Sequence, residues 1–210
     1  EELLSLGVNC LTSGNHIWDK REIMAIMDVF PQLLRPANYP AGQPGKGFHV
    51  GKSRTGVKVA TLNLSGRVFM NGSIDDPFTI GRKIAEELRR ETPVILVDMH
   101  AETTSEKAAM GFFMDGLASV VVGTHTHVPT CDHRILPKGT AYCTDIGMTG
   151  PYDSVIGVEK DIIIKRFLDA LPAKFETAKG DPRFAAVVVS VDEDTGRASA
   201  IDRMFLTESD

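Results

Sequence analysis

Val120-Val121-Val122-Gly123-Thr124-His125-Thr126-His127 is the segment of this 210-residue chain that is most informative about its architecture. Its first three residues are apolar and β-branched, which is typical of a strand buried on both faces of a parallel sheet. Residues two apart on extended backbone point the same way, so His125 and His127 can reach one point in space. Neutral imidazoles at a strand end suit a transition metal. Unrelated loop histidines are an equally good explanation of an isolated His-x-His, so the rest of the chain must decide.

The composition excludes several classes of protein. The chain has 42% hydrophobic residues and a formal net charge of -5. It can therefore form a real core, but it lacks the broad basic surface of a nucleic-acid-binding protein. Its sequence contains no 18-residue apolar window, so we predict no membrane span. Cys10, Cys131 and Cys143 form no CxxC pattern, which predicts buried thiols in a reducing cytoplasm.

The first residues resemble the end of a helix and not its beginning. Residues 1–7 read as two last helical turns followed by a glycine stop, with neither an initiator methionine nor a signal-peptide pattern. We therefore expect the natural protein to extend further toward its N-terminus. Within residues 1–210 we expect a single domain.

Hydrophobic periodicity along the rest of the chain predicts alternating strands and helices together with hairpins. The expected helices cover residues 19–30, 77–90, about 105–115, and 159–171. In the first of them, Asp19 and Glu22 are spaced as a capping box. The expected single strands cover residues 8–12, 93–99 and 120–122, and the expected hairpins pair 48–52 with 57–64, 134–136 with 140–144, and 185–191 with 198–206. Strand–helix units beside antiparallel hairpins predict an α/β sandwich with mixed sheets flanked by helices.

Four of the six histidines share one position relative to the predicted strands. Asn15-His16, His100 and the pair His125 and His127 each lie within a few residues of the end of a short apolar strand. Such ends line one rim of an α/β sheet, where ligands bind. An amide oxygen among imidazoles favours iron, manganese or zinc in a hydrolytic site. His49 and His133 lie inside or beside hairpins, so we interpret both as structural or surface residues.

Two aspartates occupy comparable positions. Asp98 and Asp145 are the only carboxylates at strand ends that could serve a metal site. Asp98 precedes His100 by two residues, and we expect it to orient a histidine and not to bind metal itself.

These motifs resemble those of a known superfamily. Gly14-Asn15-His16, a strand ending in His100, and Gly123-Thr124-His125-Thr126-His127 are similar to the last three metal motifs of the calcineurin-like metallophosphoesterases. The longer motifs SGNHIWDK at 13–20, DMHAETTSEK at 98–107 and DIGMTGP at 145–151 resemble the bacterial YmdB-like branch, a group of 2′,3′-cyclic-nucleotide phosphodiesterases. The resemblance extends essentially from Gly7 to Leu206.

The resemblance implies a fold, a site and a reaction. The fold would be the metallophosphoesterase α/β sandwich, lacking its N-terminal strand–helix unit because the first two metal motifs have no counterpart here and would lie upstream of residue 1. Asn15, His100 and His125 would bind one metal ion and His127 a second one, with iron or manganese as the expected metals and zinc as the alternative. A hydroxide shared by the two ions would attack phosphorus, and His16 would protonate the leaving oxygen. The expected substrates are small phosphodiesters, 2′,3′-cyclic nucleotides first, and RNA ends.

Several residues near these motifs are candidates for substrate binding. Glu102, Thr104 and Ser105 precede a predicted helix, so they either help its N-terminus to hold an anion or simply cap it. Met148 and Thr149 lie on a glycine-bounded loop that could form a pocket wall. For Trp18 we favour a packing role over stacking on a nucleobase.

A second class of function stays open. The chain could be a non-catalytic regulatory or interaction protein that keeps the fold with an incomplete metal site. A homo-oligomer is compatible with either function.

Overall fold

The computed structural model describes residues 2–209. In chain order its elements are α1 (Glu2–Ser5), α2 (Ile23–Ile26), β1 (Phe48–Lys52), β2 (Lys58–Ser65), α3 (Pro77–Leu88), β3 (Ile95–His100), α4 (Thr104–Phe113), β4 (Val120–Thr124), β5 (Arg134–Ile135), β6 (Ala141–Cys143), β7 (Gly150–Pro151), α5 (Lys160–Asp169), β8 (Pro182–Val191) and β9 (Ala198–Leu206).

The strands form one mixed sheet and one antiparallel sheet. The larger sheet has the order β1-β2-β3-β4-β6-β5, and the smaller one has the order β7-β8-β9. Strands β2, β3, β4 and β6 run parallel, whereas β1 and β5 are antiparallel at the edges. The valine-rich β4 is therefore an interior strand, as its composition predicts, and the predicted α/β class with mixed sheets is confirmed.

Alternation along the central strands divides their side chains between two layers. Ile95, Val97 and Met99 of β3 belong to the main core with residues of α3 and α4. Leu96 instead packs in a smaller cluster with Val189 and other residues of β8 and β9. The six-stranded sheet thus lies between a helical layer and the second sheet. Asp98 and His100 fall on the same alternating set as Leu96, on the face away from the helices.

Most predicted elements are found close to their expected bounds. The three predicted hairpins are present, and Asp76 caps α3 by accepting from the backbone N–H groups of Phe78 and Thr79. The predicted helix end near the N-terminus is also present: Gly7 has a φ of 95°, and Val8 N donates to Leu3 O as in a Schellman motif. Glu1 lies outside the described residues.

Two predicted elements are wrong. Residues 8–12 make a single β-bridge, between Leu11 and Leu33, and not a regular strand. The helix predicted over residues 19–30 shrinks to the four residues of α2, and Glu22 makes no side-chain cap. The predicted capping box fails because the Asp19 carboxylate accepts a hydrogen bond from His16 Nδ1 at 2.8 Å. The Asp19 side chain therefore does not cap the N-terminus of a helix.

None of the helices in the described part of the chain is long and apolar enough to cross a membrane.

Candidate metal centre

Parallel pairing of β3 and β4 brings the first histidines together. His100 is the last residue of β3 and lies opposite Thr124, the last residue of β4. His125 follows directly, and its Nδ1 lies 3.1 Å from Nε2 of His100. The strand ends therefore place two imidazoles at one point of the sheet rim.

The loop before α2 brings the third donor to the same point. Ser13 fixes this loop, since its N–H donates to Asn63 Oδ1 at 3.0 Å and its hydroxyl donates to the Leu34 carbonyl at 2.7 Å. The next residue is Gly14, where any side chain would overlap the His100 imidazole. Asn15 can then place its Oδ1 2.8 Å from Nε2 of His100.

Neighbouring side chains fix the tautomers of both rings. The Thr124 hydroxyl donates to Asp98 Oδ1 at 2.8 Å, so it accepts from His100 Nδ1 at 3.0 Å. His100 Nδ1 therefore carries the proton, and Nε2 keeps its lone pair. His125 Nε2 lies 3.0 Å from Glu102 Oε2 and donates to it, which leaves the lone pair on Nδ1. Two ring lone pairs and one amide oxygen thus face a common point.

The surroundings also keep the two rings neutral. Burial, with a smaller effect from His125, lowers the pKa of His100 to about 3. Burial also lowers the pKa of His125, although the Glu102 carboxylate partly opposes this. Metal ions compete with protons for the same lone pairs, so neutral rings are the form that binds metal.

This donor set fits a metal ion. Three acceptors that face one another cannot hydrogen-bond among themselves, and a cation between them would satisfy all three. Ligands at about 2.1 Å from a metal ion lie roughly 3 Å from one another, close to the separations found here. Within residues 2–209, no group of three or more His, Cys, Asp and Glu side chains is arranged to hold a metal ion. The cluster consequently depends on the Asn15 amide as its third donor.

His127 is held by a backbone carbonyl outside the cluster, and this contact occupies only one of its two ring nitrogens. Its Nδ1 lies 2.8 Å from the Ile156 carbonyl oxygen, to which it can only donate. The lone pair is therefore on Nε2, which is the usual arrangement for a metal-ligating histidine.

The two histidines of the loop and the partner of His127 have left-handed backbone. His125, His127 and Ile156 have φ angles of 101°, 65° and 48°. Left-handed backbone is costly for residues other than glycine, especially for β-branched isoleucine, at roughly 1–3 kcal/mol each. Such strain persists only where surrounding contacts hold it, and it is common at functional sites.

His16 lies at the open side of the cluster. Its side chain is 78% exposed, and its Nδ1 bonds to Asp19 Oδ2 at 2.8 Å. Nε2 is thus the nitrogen that remains for a ligand or substrate.

The residues predicted to bind substrate are placed in different ways. Glu102 contacts His125 and so acts on a candidate ligand. Thr104 and Ser105 form the first turn of α4. The Met148 N–H donates to the His127 carbonyl, which puts this residue beside the histidine loop. Thr149 instead bonds through its hydroxyl to the backbone of Ala185, so its side chain joins the loop to the second sheet.

The two strand-end aspartates both act through other residues. Asp98 does not contact His100 directly. It accepts from the Thr124 hydroxyl, which in turn accepts from His100 Nδ1, so Asp98 orients the ring through Thr124. Burial raises the pKa of Asp98 to about 6. Asp145 is paired with Lys107 and accepts from the Thr126 N–H and hydroxyl. Neither carboxylate lies against the three donors.

Sequence reasoning missed several contributors. Thr124 and Asn63 carry no signal beyond their places at strand ends. Lys107 falls within the helix predicted over about 105–115, and nothing in the sequence indicates that its side chain is buried. Thr124 could have been identified from its register opposite His100, but that register is known only once the order of the strands in the sheet is known.

Among the cysteines, Cys143 is buried as expected, whereas Cys131 is exposed, because it lies on the loop between β4 and β5.

His49 and His133 lie apart from the cluster. His49 is in β1 and lines a different cavity with Cys10 and Thr61. The Nδ1 atom of His133 is buried without a hydrogen-bond partner among the described residues. Neither ring contributes a donor to the candidate metal cluster.

Comparisons with known proteins agree on one family. A family model described as YmdB-like protein matches residues 1–204. A 2′,3′-cyclic-nucleotide 2′-phosphodiesterase of Bacillus subtilis (strain 168) is 48% identical over 206 residues, which cover 98% of this chain and 77% of that protein.

Two crystal structures are also similar to this chain. A hypothetical protein from Thermus thermophilus superposes with a TM-score of 0.90 at 43% identity and covers 98% of this chain and 79% of its own. A novel phosphatase from Mycoplasma pneumoniae superposes with a TM-score of 0.88 at 34% identity, over 98% of this chain and 74% of its own. Both identities are high enough to imply relatedness as well as a common fold.

Proposed function

This chain belongs to the YmdB-like protein family, and from that premise we propose that it is a metal-dependent phosphodiesterase that hydrolyses 2′,3′-cyclic nucleotides. The convergence of Asn15 Oδ1, His100 Nε2 and His125 Nδ1 at 2.8 and 3.1 Å carries the proposal. The relative from Bacillus subtilis, named for this activity, supports the choice of substrate.

We assign the first metal position to Asn15, His100 and His125, and a second position to His127 through its free Nε2. Iron or manganese fits this mixture of imidazole and amide oxygen, and zinc is the alternative. When bound, such ions neutralise charge on the phosphoryl oxygens and lower the pKa of a water molecule. Glu102 and Asp98 hold the rings in the metal-binding tautomers.

His16 has the properties of the proton donor. It is exposed at the edge of the cluster, and the bond from Nδ1 to Asp19 Oδ2 orients the ring so that Nε2 faces a substrate. In the imidazolium form, the proton on Nε2 would pass to the ribose oxygen as the bond between that oxygen and phosphorus breaks. General acid catalysis of this type contributes roughly 10²- to 10⁴-fold.

The setting of the site supports two further proposals. Because His16 is exposed, a cyclic phosphate at the end of an RNA chain could present the same chemistry to the site. Cys10, Cys131 and Cys143 are all free thiols, which supports the reducing cytoplasm as the compartment of the reaction.

Replacing His16 tests the assignment of the proton donor. With His16→Ala we expect kcat on 2′,3′-cyclic AMP to fall by about 10²- to 10⁴-fold. Hydrolysis of bis(p-nitrophenyl) phosphate should fall much less, because nitrophenolate leaves without a proton. His49→Ala is the matched control, since that histidine is remote from the cluster, and it should change neither rate. Equal losses on both substrates in His16→Ala would contradict the role.

Metal analysis distinguishes this function from a non-catalytic role. A purified chain that holds iron or manganese and loses hydrolysis on treatment with a chelator is an enzyme. A chain that binds no metal and has no activity after reconstitution would instead be the regulatory or interaction protein.

A further inference from the structure

Lys107 and Asp145 form a buried ion pair beneath the histidine loop. Their side chains are 0% and 1% exposed, and Lys107 Nζ lies 2.7 Å from Asp145 Oδ2. Two charges are expensive to remove from water, and such a pair often contributes little to stability compared with apolar residues of similar size. Its presence below a candidate metal site therefore calls for a reason other than stability.

Asp145 connects this pair to the loop. Its Oδ2 accepts from the Thr126 N–H at 3.1 Å and from the Thr126 hydroxyl at 2.7 Å. Thr126 lies between His125 and His127, both of which have left-handed backbone. The other carboxylate oxygen, Oδ1, accepts from the Gly147 N–H at 2.8 Å. One carboxylate thus fixes the residue between the two histidines and the loop that follows β6.

Lys107 reaches this position over Gly123. A side chain at Gly123 would overlap the Thr144 carbonyl oxygen and press on Cδ of Lys107. The glycine before the histidine motif therefore gives the lysine stem its passage from α4 to Asp145. The same helix begins just after Glu102, which bonds to His125 from the other side. Contacts from the α4 region hold the loop at two points.

We infer that the buried Lys107–Asp145 pair is a positioning device that holds the strained His125–His127 loop in its metal-binding geometry. The inference rests on the proposed function, because it concerns the same metal site. Neither residue touches the metal donors; both act through Thr126.

Titration of the full chain with Co²⁺ tests this role, because visible absorption reports both affinity and coordination geometry. Lys107→Met and Asp145→Asn should each raise the Co²⁺ dissociation constant by about 10- to 100-fold, as for other residues that orient metal ligands. Each variant should also alter the shape of the Co²⁺ absorption bands, because the coordination geometry changes. Because both act through one chain of contacts, the double variant should bind no more weakly than the weaker single variant.

Met114→Ala is the control, since Met114 is fully buried at the C-terminal end of the same helix, and none of the hydrogen bonds among the described residues joins it to the histidine loop. It should lower the urea midpoint of unfolding and leave the Co²⁺ affinity unchanged. Equal loss of affinity in Met114→Ala and Lys107→Met would overturn the positioning role, as would unchanged affinity and bands in Lys107→Met.

A further variant keeps the test decisive if the ion-pair variants fail to fold. Thr126→Val removes the hydroxyl that donates to Asp145 at 2.7 Å and that also accepts, at 3.4 Å, from the Val128 N–H. It should still weaken Co²⁺ binding several-fold. Unchanged binding in Thr126→Val would contradict the inference. Failure of the unmodified chain to bind Co²⁺ would instead contradict the proposed function, so the two failures are distinguishable.

Discussion

The sequence identifies only some of the residues that make up the candidate site. Asn15, His100 and His125 can be selected by their place after apolar strands, and the structure brings their donor atoms together. The partners that fix the tautomers cannot be selected in this way. Thr124 and Glu102 become partners only when the register of β3 and β4 is known.

Gly14 gives a sharp test at one position. Gly14→Ala would drive a methyl group into the His100 imidazole, which must then leave its position. We expect metal affinity to fall at least 10-fold, with hydrolysis falling in parallel. Isothermal titration with Mn²⁺ measures the change.

The control for this substitution is Gly42→Ala. No described atom lies within 4 Å of the methyl group that this change would add. If both variants bound Mn²⁺ as the unmodified chain does, the close packing of Gly14 on His100 would have no functional consequence.

Helices and strands were predictable where local signals agree with the packing. Helix α3 has an N-cap aspartate, a proline at its first position and an apolar face, and it forms as expected. The segment 19–30 also shows capping and apolar periodicity, but it forms only a four-residue helix. There the capping aspartate bonds to His16, and successive i→i−3 bonds replace a regular α-helix. A partner for Asp19 is a tertiary property that no local pattern contains.

The cap of α3 can be tested directly. Asp76→Ala removes the acceptor for the N–H groups of Phe78 and Thr79, and we expect a loss of about 1 kcal/mol in the free energy of unfolding. Urea denaturation measures this loss. The neighbouring Asp75→Ala, at an exposed position outside the helix, should cost far less; similar losses in the two variants would argue against the cap.

For the entire fold, the sequence predicts the α/β class but not the order of the strands or the packing of the two sheets. Alternating strands and helices indicate an α/β protein, and the structure confirms it. The strand order and the packing of the second sheet depend on contacts between residues far apart in the chain, which periodicity does not report. Burial of charges such as Asp98 and Lys107 follows from that arrangement, and so do its effects on stability.

Asp98 makes the stability of the metal-free fold depend on pH. Its pKa in the folded chain is raised from 3.8 to about 6, so the folded state holds this proton more tightly than the unfolded state does. The Asp98 contribution to the free energy of unfolding is therefore most favourable below pH 4. It is lost as the pH rises to about 6, by roughly 3 kcal/mol in total.

Asp98→Asn removes this titration and keeps an oxygen that can accept from Thr124. Relative to the unmodified chain, the variant should gain stability between pH 4 and pH 8, by up to roughly 3 kcal/mol. Urea denaturation at both pH values in the presence of a chelator measures the difference. A difference that does not change with pH would show that Asp98 is not charged at a cost in the folded chain.

The separation of the proposed metal donors along the chain has a consequence for how the protein would acquire an ion. Asn15 and His100 are 85 residues apart, and His100 and His125 are 25 apart. An unfolded polypeptide would have to close both loops before the donors could meet, at an entropic cost that grows with loop length. An ion held by these three proposed donors is therefore a poor nucleus for folding, unlike the ion of a zinc finger, whose ligands are close in sequence. We expect it to bind late, after the parallel strands have assembled, and to stabilise a finished architecture.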